Sequence, residues 1–313
     1  MHEARVLRHW VRGWPLDGDG GPREFPSRLK ALLPGLSAEL AALARVRSDH
    51  RGADGSTRLL LDLAAGHAIE TVLLPPTGVC VSTQVGCAVG CTFCMTGREG
   101  LLRQLGSAEI VAQVVLARSL QPVRKVVFMG MGEPAHNLDS VLEAIELLGT
   151  AGDIGHKNLV FSTVGDRRVF ERLPAGPVKP ALALSLHTTD AALRARLLPK
   201  APRIDPAELV ELGERYARAT TYPIQYQWTL LEGVNDGDAE LAAIVGLLKG
   251  RYAVLNLIPY NTVDGAGFRR PSAERAAAMA RYLHRHGVLT KLRRSAGQDV
   301  DAGCGQLRAR QQG

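Results

Sequence analysis

The stretch Val79-Cys80-Val81-Ser82-Thr83-Gln84-Val85-Gly86-Cys87-Ala88-Val89-Gly90-Cys91-Thr92-Phe93-Cys94 decides the fold. Residues 79–84 read as a buried strand, and a cysteine-rich loop follows at once. Downstream the same alternation recurs. Apolar runs at 126–129, 159–162, 181–185, 224–231 and 254–258 read as buried parallel strands. Helical patterns lie between them. One starts at Ser107 with Ile110, Val111, Val114 and Val115 inward, and one follows Asn137 with Leu138, Val141, Ile145 and Leu148. Others cover 189–197, 206–219, 238–249 and 272–287, the last stopped by Gly287. A seventh strand is expected over 288–293. Six such units predict an α/β chain built as a partial (β/α)6, TIM-like barrel, with its chemistry at the C-terminal ends of the strands.

Residues 1–75 read differently. Helical patterns at 4–12 and 37–46, the second with Ser37 as N-cap, flank a Gly-rich loop at 17–22. Two strands, 58–63 and 69–74, surround Ala65-Gly66-His67, and Pro75-Pro76 ends them. The expectation is a small α+β accessory domain over 1–75 and a barrel core over 76–313.

The composition narrows the classes. No run approaches the ~20 apolar residues of a membrane span. Met1-His2-Glu3-Ala4-Arg5 lacks the apolar core of a secretory signal, so a cytoplasmic protein is expected. Four of the five cysteines fall between 80 and 94 and the fifth is Cys304, which suits metal or thiol chemistry better than a secreted disulfide framework. After Phe268 ten Lys and Arg stand against three acids, Glu274, Asp299 and Asp301; the whole chain's formal net charge of +7 therefore sits in this block. Such a block fits a polyanion such as RNA, and equally a solvated helix face.

Cys87, Cys91 and Cys94 offer three soft thiolates at the end of the first core strand. A 4Fe–4S cluster held by three cysteines keeps one iron open, and an open iron can chelate the amino and carboxylate groups of S-adenosylmethionine (SAM). The alternative is zinc with Cys80 as fourth ligand, which the spacing fits poorly. Gly130-Met131-Gly132-Glu133-Pro134 follows the next strand, where glycines admit a ligand and a carboxylate can take an ammonium. Ser162-Thr163, Ser185-Leu186-His187 and Asn261 lie at or beyond three further strand ends; singly they read as helix caps, together as a pocket. Cys304 sits between Gly303 and Gly305, in a loop that suits a thiol reaching a substrate.

These segments, with Cys80–Cys87 and Asn256-Leu257-Ile258-Pro259-Tyr260-Asn261, occur in one order over about residues 58 to 307. The chain resembles the radical-SAM RNA adenine methyltransferases, the RlmN/Cfr family. The resemblance implies methylation of an adenine ring carbon, C2 rather than C8, in rRNA or tRNA. It implies two SAM molecules per turnover: one methylates Cys304 to S-methylcysteine, and one, on the cluster held by Cys87, Cys91 and Cys94, provides a radical that activates this methyl group. Cys80 then becomes the resolving thiol, through a transient disulfide with Cys304, and Glu70 the proton acceptor. SAM contacts fall on Gly132, Glu133, Ser162, Ser185, Leu186, His187 and Asn261. An electron donor such as flavodoxin or ferredoxin is implied as a partner. The 1–75 region is shorter than the family's accessory domain, which leaves the RNA open. Two other readings compete: a radical-SAM enzyme on another substrate, and a zinc-stabilised RNA-binding protein without catalysis.

Overall fold

A computed structural model describes residues 2–16, 25–64, 66–263 and 265–309. The expected loop at 17–22, and Ala65 of the expected turn between the two strands, lie outside the described residues.

Helix α1 (His2–Arg12) and helix α2 (Ser27–Ala42) precede three antiparallel strands, β1 (Ala44–Arg51), β2 (Thr57–Leu63) and β3 (Ala68–Leu74). The expected helix at 37–46 is corrected here. Ser37 lies inside α2, which runs through Pro34, and residues from Ala44 onward form a strand. Only Leu33 of α2 is fully buried, so its apolar periodicity is weak, and β1 is mostly exposed and charged. β1 exists because it pairs with β2 from Ala44↔Leu63 to Arg51↔Thr57, a tertiary cause with little local signature.

The chain then enters β4 (Gly78–Cys80), which is antiparallel to β3 through Val72↔Cys80. The expected single strand over 79–84 is divided. Gly130 N donates to Val81 O (3.0 Å) and Thr83 N to Met131 O (2.8 Å), so the Gly-rich turn wedges against this segment and ends β4 early. A hairpin of β5 (Gln84–Gly86) and β6 (Leu101–Gln104) carries the cysteine loop between its arms. Six crossovers follow: α3 (Ser107–Leu120), β7 (Lys125–Phe128), α4 (Leu138–Gly149), β8 (Leu159–Thr163), α5 (Arg167–Ala175), β9 (Ala181–Ser185), α6 (Ala191–Leu197) with α7 (Pro206–Thr220), β10 (Ile224–Leu230), α8 (Asp238–Leu248), β11 (Ala253–Pro259), α9 (Ala273–Arg285) and β12 (Thr290–Leu292). Helix α5 has no counterpart in the sequence reading; only Val169 and Leu173 of its nine residues are fully buried, too few to stand out as a stripe.

One sheet runs β1-β2-β3-β4-β7-β8-β9-β10-β11-β12, and every pair from β4 to β12 is parallel. This is the expected partial barrel. The helices start where sequence chemistry puts them. Asp205 caps α7 through Ala207 N (2.8 Å) with Pro206 behind it, and Ser272 caps α9 through Arg275 N (3.1 Å). Gly287, at φ +85°, ends the α9 segment in the left-handed region. The main core is continuous from Trp10 and Leu61 through Val126 and Phe161 to Leu257 and Leu283, so the first 75 residues share both sheet and core with the barrel.

Candidate active site

A cavity of about 510 Å³ opens inside the barrel at the strand ends. Ten of the thirteen site residues expected from sequence line it: Cys80, Cys87, Cys91, Cys94, Gly132, Glu133, Ser162, Ser185, His187 and Cys304.

The cysteine loop is set by main-chain bonds. Cys87 N donates to Gly100 O (2.9 Å), Thr92 N to Leu197 O (3.0 Å), and Lys200 N to Val89 O (3.2 Å), so hairpin and α6 grip it from two sides. A Cβ on Gly86 would stand 2.1 Å from Gly100 O, so this closure requires glycine, which also supplies φ +75°. Burial pushes Cys87 up to about 12, and burial followed by the neighbouring Cys94 and Cys87 raises Cys91 strongly. Such thiols keep their protons until a cation takes their place. Among the described residues no three His, Cys, Asp or Glu converge as ligands of a single ion.

Glu133 is buried, accepting from Ala135 N (3.1 Å) and Val164 N (3.0 Å). Burial outweighs these bonds and lifts its carboxyl to about 7. The turn before it is tight. Gly132 has φ +107°, and a Cβ there would lie 2.7 Å from the Gln84 side chain. His187 is held at φ +63°, edge-on to Phe93 with ring centroids 5.0 Å apart. Its Nδ1 accepts from Thr229 N (3.0 Å), which leaves the proton on Nε2. Burial, then the Arg194 charge, lowers it to about 3, so it is neutral at physiological pH.

Cys80 and Cys304 both line the cavity. Burial pushes Cys80 up to about 12, and a charge on Cys304 works in the same direction. Cys304 is open to the cavity but crowded by protein; this raises its thiol, against the Ser295 hydrogen bond and the Arg293 charge. Cys304 is the thiol whose charge Cys80 feels, and both line the cavity that also receives the triplet.

Three expected residues stand outside the cavity wall. Leu186 is buried, with its amide donating to Gln227 O (3.1 Å). Asn261 Nδ2 donates to Ser295 Oγ (2.9 Å) and Cys304 O (3.0 Å), which leaves its buried Oδ1 without a partner. Glu70 is buried, ion-paired to Arg58, and accepts from Arg308 N (2.7 Å). It anchors the strap that carries Cys304. Thr96 Oγ1 donating to Leu307 O (2.6 Å) and Met95 N to Gly305 O (2.7 Å) anchor that strap to the cysteine loop.

Sequence reasoning missed the polar lumen. Gln225, Gln227 and Thr229 of β10 and Asn256 of β11 line the cavity, and Asn256 Oδ1 is a second buried acceptor without a partner. Their signal was present: every second residue of Ile224-Gln225-Tyr226-Gln227-Trp228-Thr229 is polar in a strand expected to be covered on both faces. Gln113 was missed too. It is fully buried on α3 and ties Thr71 (2.7 Å) to Ser82 (2.8 and 2.9 Å), fixing β3 against the segment after β4.

The Radical SAM superfamily model matches residues 81–244. The chain belongs to the radical SAM superfamily. A probable RNA methyltransferase of Aromatoleum aromaticum is 76% identical over 311 residues, covering 99% of this chain and 88% of that protein. One from Methylibium petroleiphilum is 72% identical over 310 residues, with the same coverage of each chain. Among solved structures, a radical SAM methyltransferase from Sphaerobacter thermophilus is 34% identical, with a TM-score of 0.87 over 99% of this chain and 93% of that one. The radical SAM protein described here is therefore a methyltransferase, and its superfamily uses SAM and a 4Fe–4S cluster. The site fits both. Three mutually close thiols form a soft donor set, and the unpartnered buried acceptor on Asn256, with Glu133 in the same wall, suits donors of the kind SAM carries. Among the described residues no helix is long and apolar enough to cross a membrane.

Proposed function

We propose that this radical SAM methyltransferase methylates a ring carbon of adenine in RNA, C2 in rRNA or tRNA, with Cys304 as methyl carrier. The observation that carries this reading is the pairing of Cys80 with Cys304 in the cavity that also receives the triplet. The names of the close relatives support RNA as the substrate. An adenine ring carbon is no nucleophile, so direct polar transfer from SAM does not serve. A carrier thiol and a resolving thiol do.

Cys87, Cys91 and Cys94 would hold the 4Fe–4S cluster, and Gly132, Glu133, Ser162, Ser185, Leu186, His187 and Asn261 would surround SAM. When bound, the cluster and SAM would supply one-electron chemistry able to activate a methyl group. Cys304 Sγ takes a methyl group from a first SAM and presents its carbon to adenine. Glu70 takes the adenine proton once it leaves Arg308 N. Once the adduct has given up that proton and its unpaired electron, Cys80 Sγ would attack Cys304 Sγ; the disulfide forms as the bond from Cys304 Sγ to the methylene carbon breaks, that carbon takes up a proton to become the product's methyl group, and an external dithiol reduces the disulfide. Neutral His187 would offer its Nε2 proton to SAM without adding a positive charge to the cavity. Flavodoxin or ferredoxin would supply electrons, in the cytoplasm. Residues 1–75 would form an accessory unit that contacts RNA beside the 76–313 core.

Nucleoside mass spectrometry of rRNA and tRNA, from cells with and without the gene, tests the reading. Loss of 2-methyladenosine is expected, loss of 8-methyladenosine would move the site to C8, and no change in either would overturn it.

A further inference from the structure

The C-terminal basic block is sorted by the fold. Arg269 pairs with Glu232 (2.7 Å), Arg275 with Asp238 (2.8 Å) and Arg308 with Asp301 (3.7 Å), while Arg270 bonds Gln298 (2.9 Å). Arg281 and Arg285 lie on α9, away from the cavity wall. Lys291, Arg293 and Arg294 are exposed and have no carboxylate partner among the described residues. Arg293 and Arg294 line the cavity, as does Lys125 from β7. Burial, then Arg293 and Lys291, depresses the Lys125 ammonium, so cations from β7 and β12 stand close enough to repel.

Like charges gathered without a counter-ion cost stability, and they raise the local concentration of a polyanion. The wall that carries these cations continues to Cys80 and Cys304. A nucleotide whose base enters the cavity leaves its phosphates at the rim, where sequence-independent cations fix its position. We propose that Lys125, Lys291, Arg293 and Arg294 bind the phosphodiester backbone flanking the target adenosine. This rests on the RNA-methylating reading above. An acidic electron-transfer protein is the other polyanion to consider, but Lys125, Arg293 and Arg294 lie in the wall of the cavity that holds the methyl carrier, where a nucleotide enters and a folded protein does not.

The test is binding of a fluorescein-labelled RNA hairpin with loop adenosines to the reconstituted holoenzyme over a NaCl series. Lys291→Ala, Arg293→Ala and Arg294→Ala should each lower the slope of log Kd against log salt by about 0.7–0.9. Arg281→Ala and Arg285→Ala, from the same block, should leave it unchanged. Iron content and Tm confirm that each variant folds; if Arg293→Ala does not, Lys291→Gln and Arg294→Gln carry the test. Unchanged slopes in the Lys291, Arg293 and Arg294 variants, or equal losses in the α9 variants, would overturn the proposal. So would unchanged RNA slopes with slowed cluster reduction by reduced flavodoxin, which would assign the cations to the electron donor. Intact-mass detection of methylated Cys304 without RNA separates the two failures. If wild type binds RNA and is methylated while the variants bind alike, only the phosphate site falls. If wild type shows no salt-dependent RNA binding, the RNA reading falls with it.

Discussion

The loop of Cys87, Cys91 and Cys94 and the strap of Cys304 face one cavity but are held in opposite ways. The loop hangs on main-chain bonds within a hairpin and to the end of α6. The strap hangs largely on side chains from distant elements: Glu70 of β3, Thr96 of the loop and Asn261 after β11. Main-chain anchoring fixes a metal site whatever the neighbouring side chains are. Side-chain anchoring can be released and remade, which suits the mobile thiol that the proposed carrier role of Cys304 requires.

The largest expected effect separates the two regions outright. Cys91→Ala should lose both iron and activity. Cys304→Ala should keep stoichiometric iron and visible cluster absorbance yet form no methylated RNA. Equal iron loss in both would erase the distinction. Cys80→Ala should also keep its iron, but leave protein joined to RNA, visible as a gel shift that survives denaturation; normal turnover would remove its resolving role.

The anchors come next. Arg58→Ala leaves Glu70 charged and buried with only an amide partner, and should cost about 3–5 kcal/mol in urea unfolding. Gly132→Ala forces a side chain against Gln84 at φ +107°, and should cost about 1–3 kcal/mol and weaken SAM binding through the displaced Glu133. Wild-type SAM affinity after that substitution would show that the turn does not position Glu133.

The smallest effect is in pH. His187 falls from an ordinary 6.5 to about 3 on folding, so the unfolded chain binds a proton that the native one refuses. Its contribution is present above 6.5 and is lost as pH falls toward 3, at about 1.4 kcal/mol per unit. Glu133, raised to about 7, works in the other direction between its ordinary 4.5 and 7, so the wild type alone conceals the term. The stability difference between wild type and His187→Asn should therefore narrow on acidification from pH 6.5 to 5. A constant difference would mean that His187 takes up its proton in the fold.

Much of the core was legible. Buried parallel strands are continuous apolar runs, and the triplet is local, so neither depends on distant partners. β1 was not legible, because its polar face is stabilised by pairing with β2. Neither was the wet lumen, whose alternating Gln225, Gln227 and Thr229 were read within an apolar run. Glu70 could be named from sequence, but its engagement by Arg58 and Arg308 belongs to three segments brought together only on folding.

The sequence by itself determined the barrel and the spacing of Cys87, Cys91 and Cys94, because strand periodicity and short-loop ligand geometry are local properties. Only the tertiary structure decided that Cys80 and Cys304 line one cavity, that the strap is tied to Glu70, and which cations of the basic block stand unpaired at the cavity. Those facts depend on approach in space between segments far apart along the chain, and burial and pairing there set their charge and reactivity.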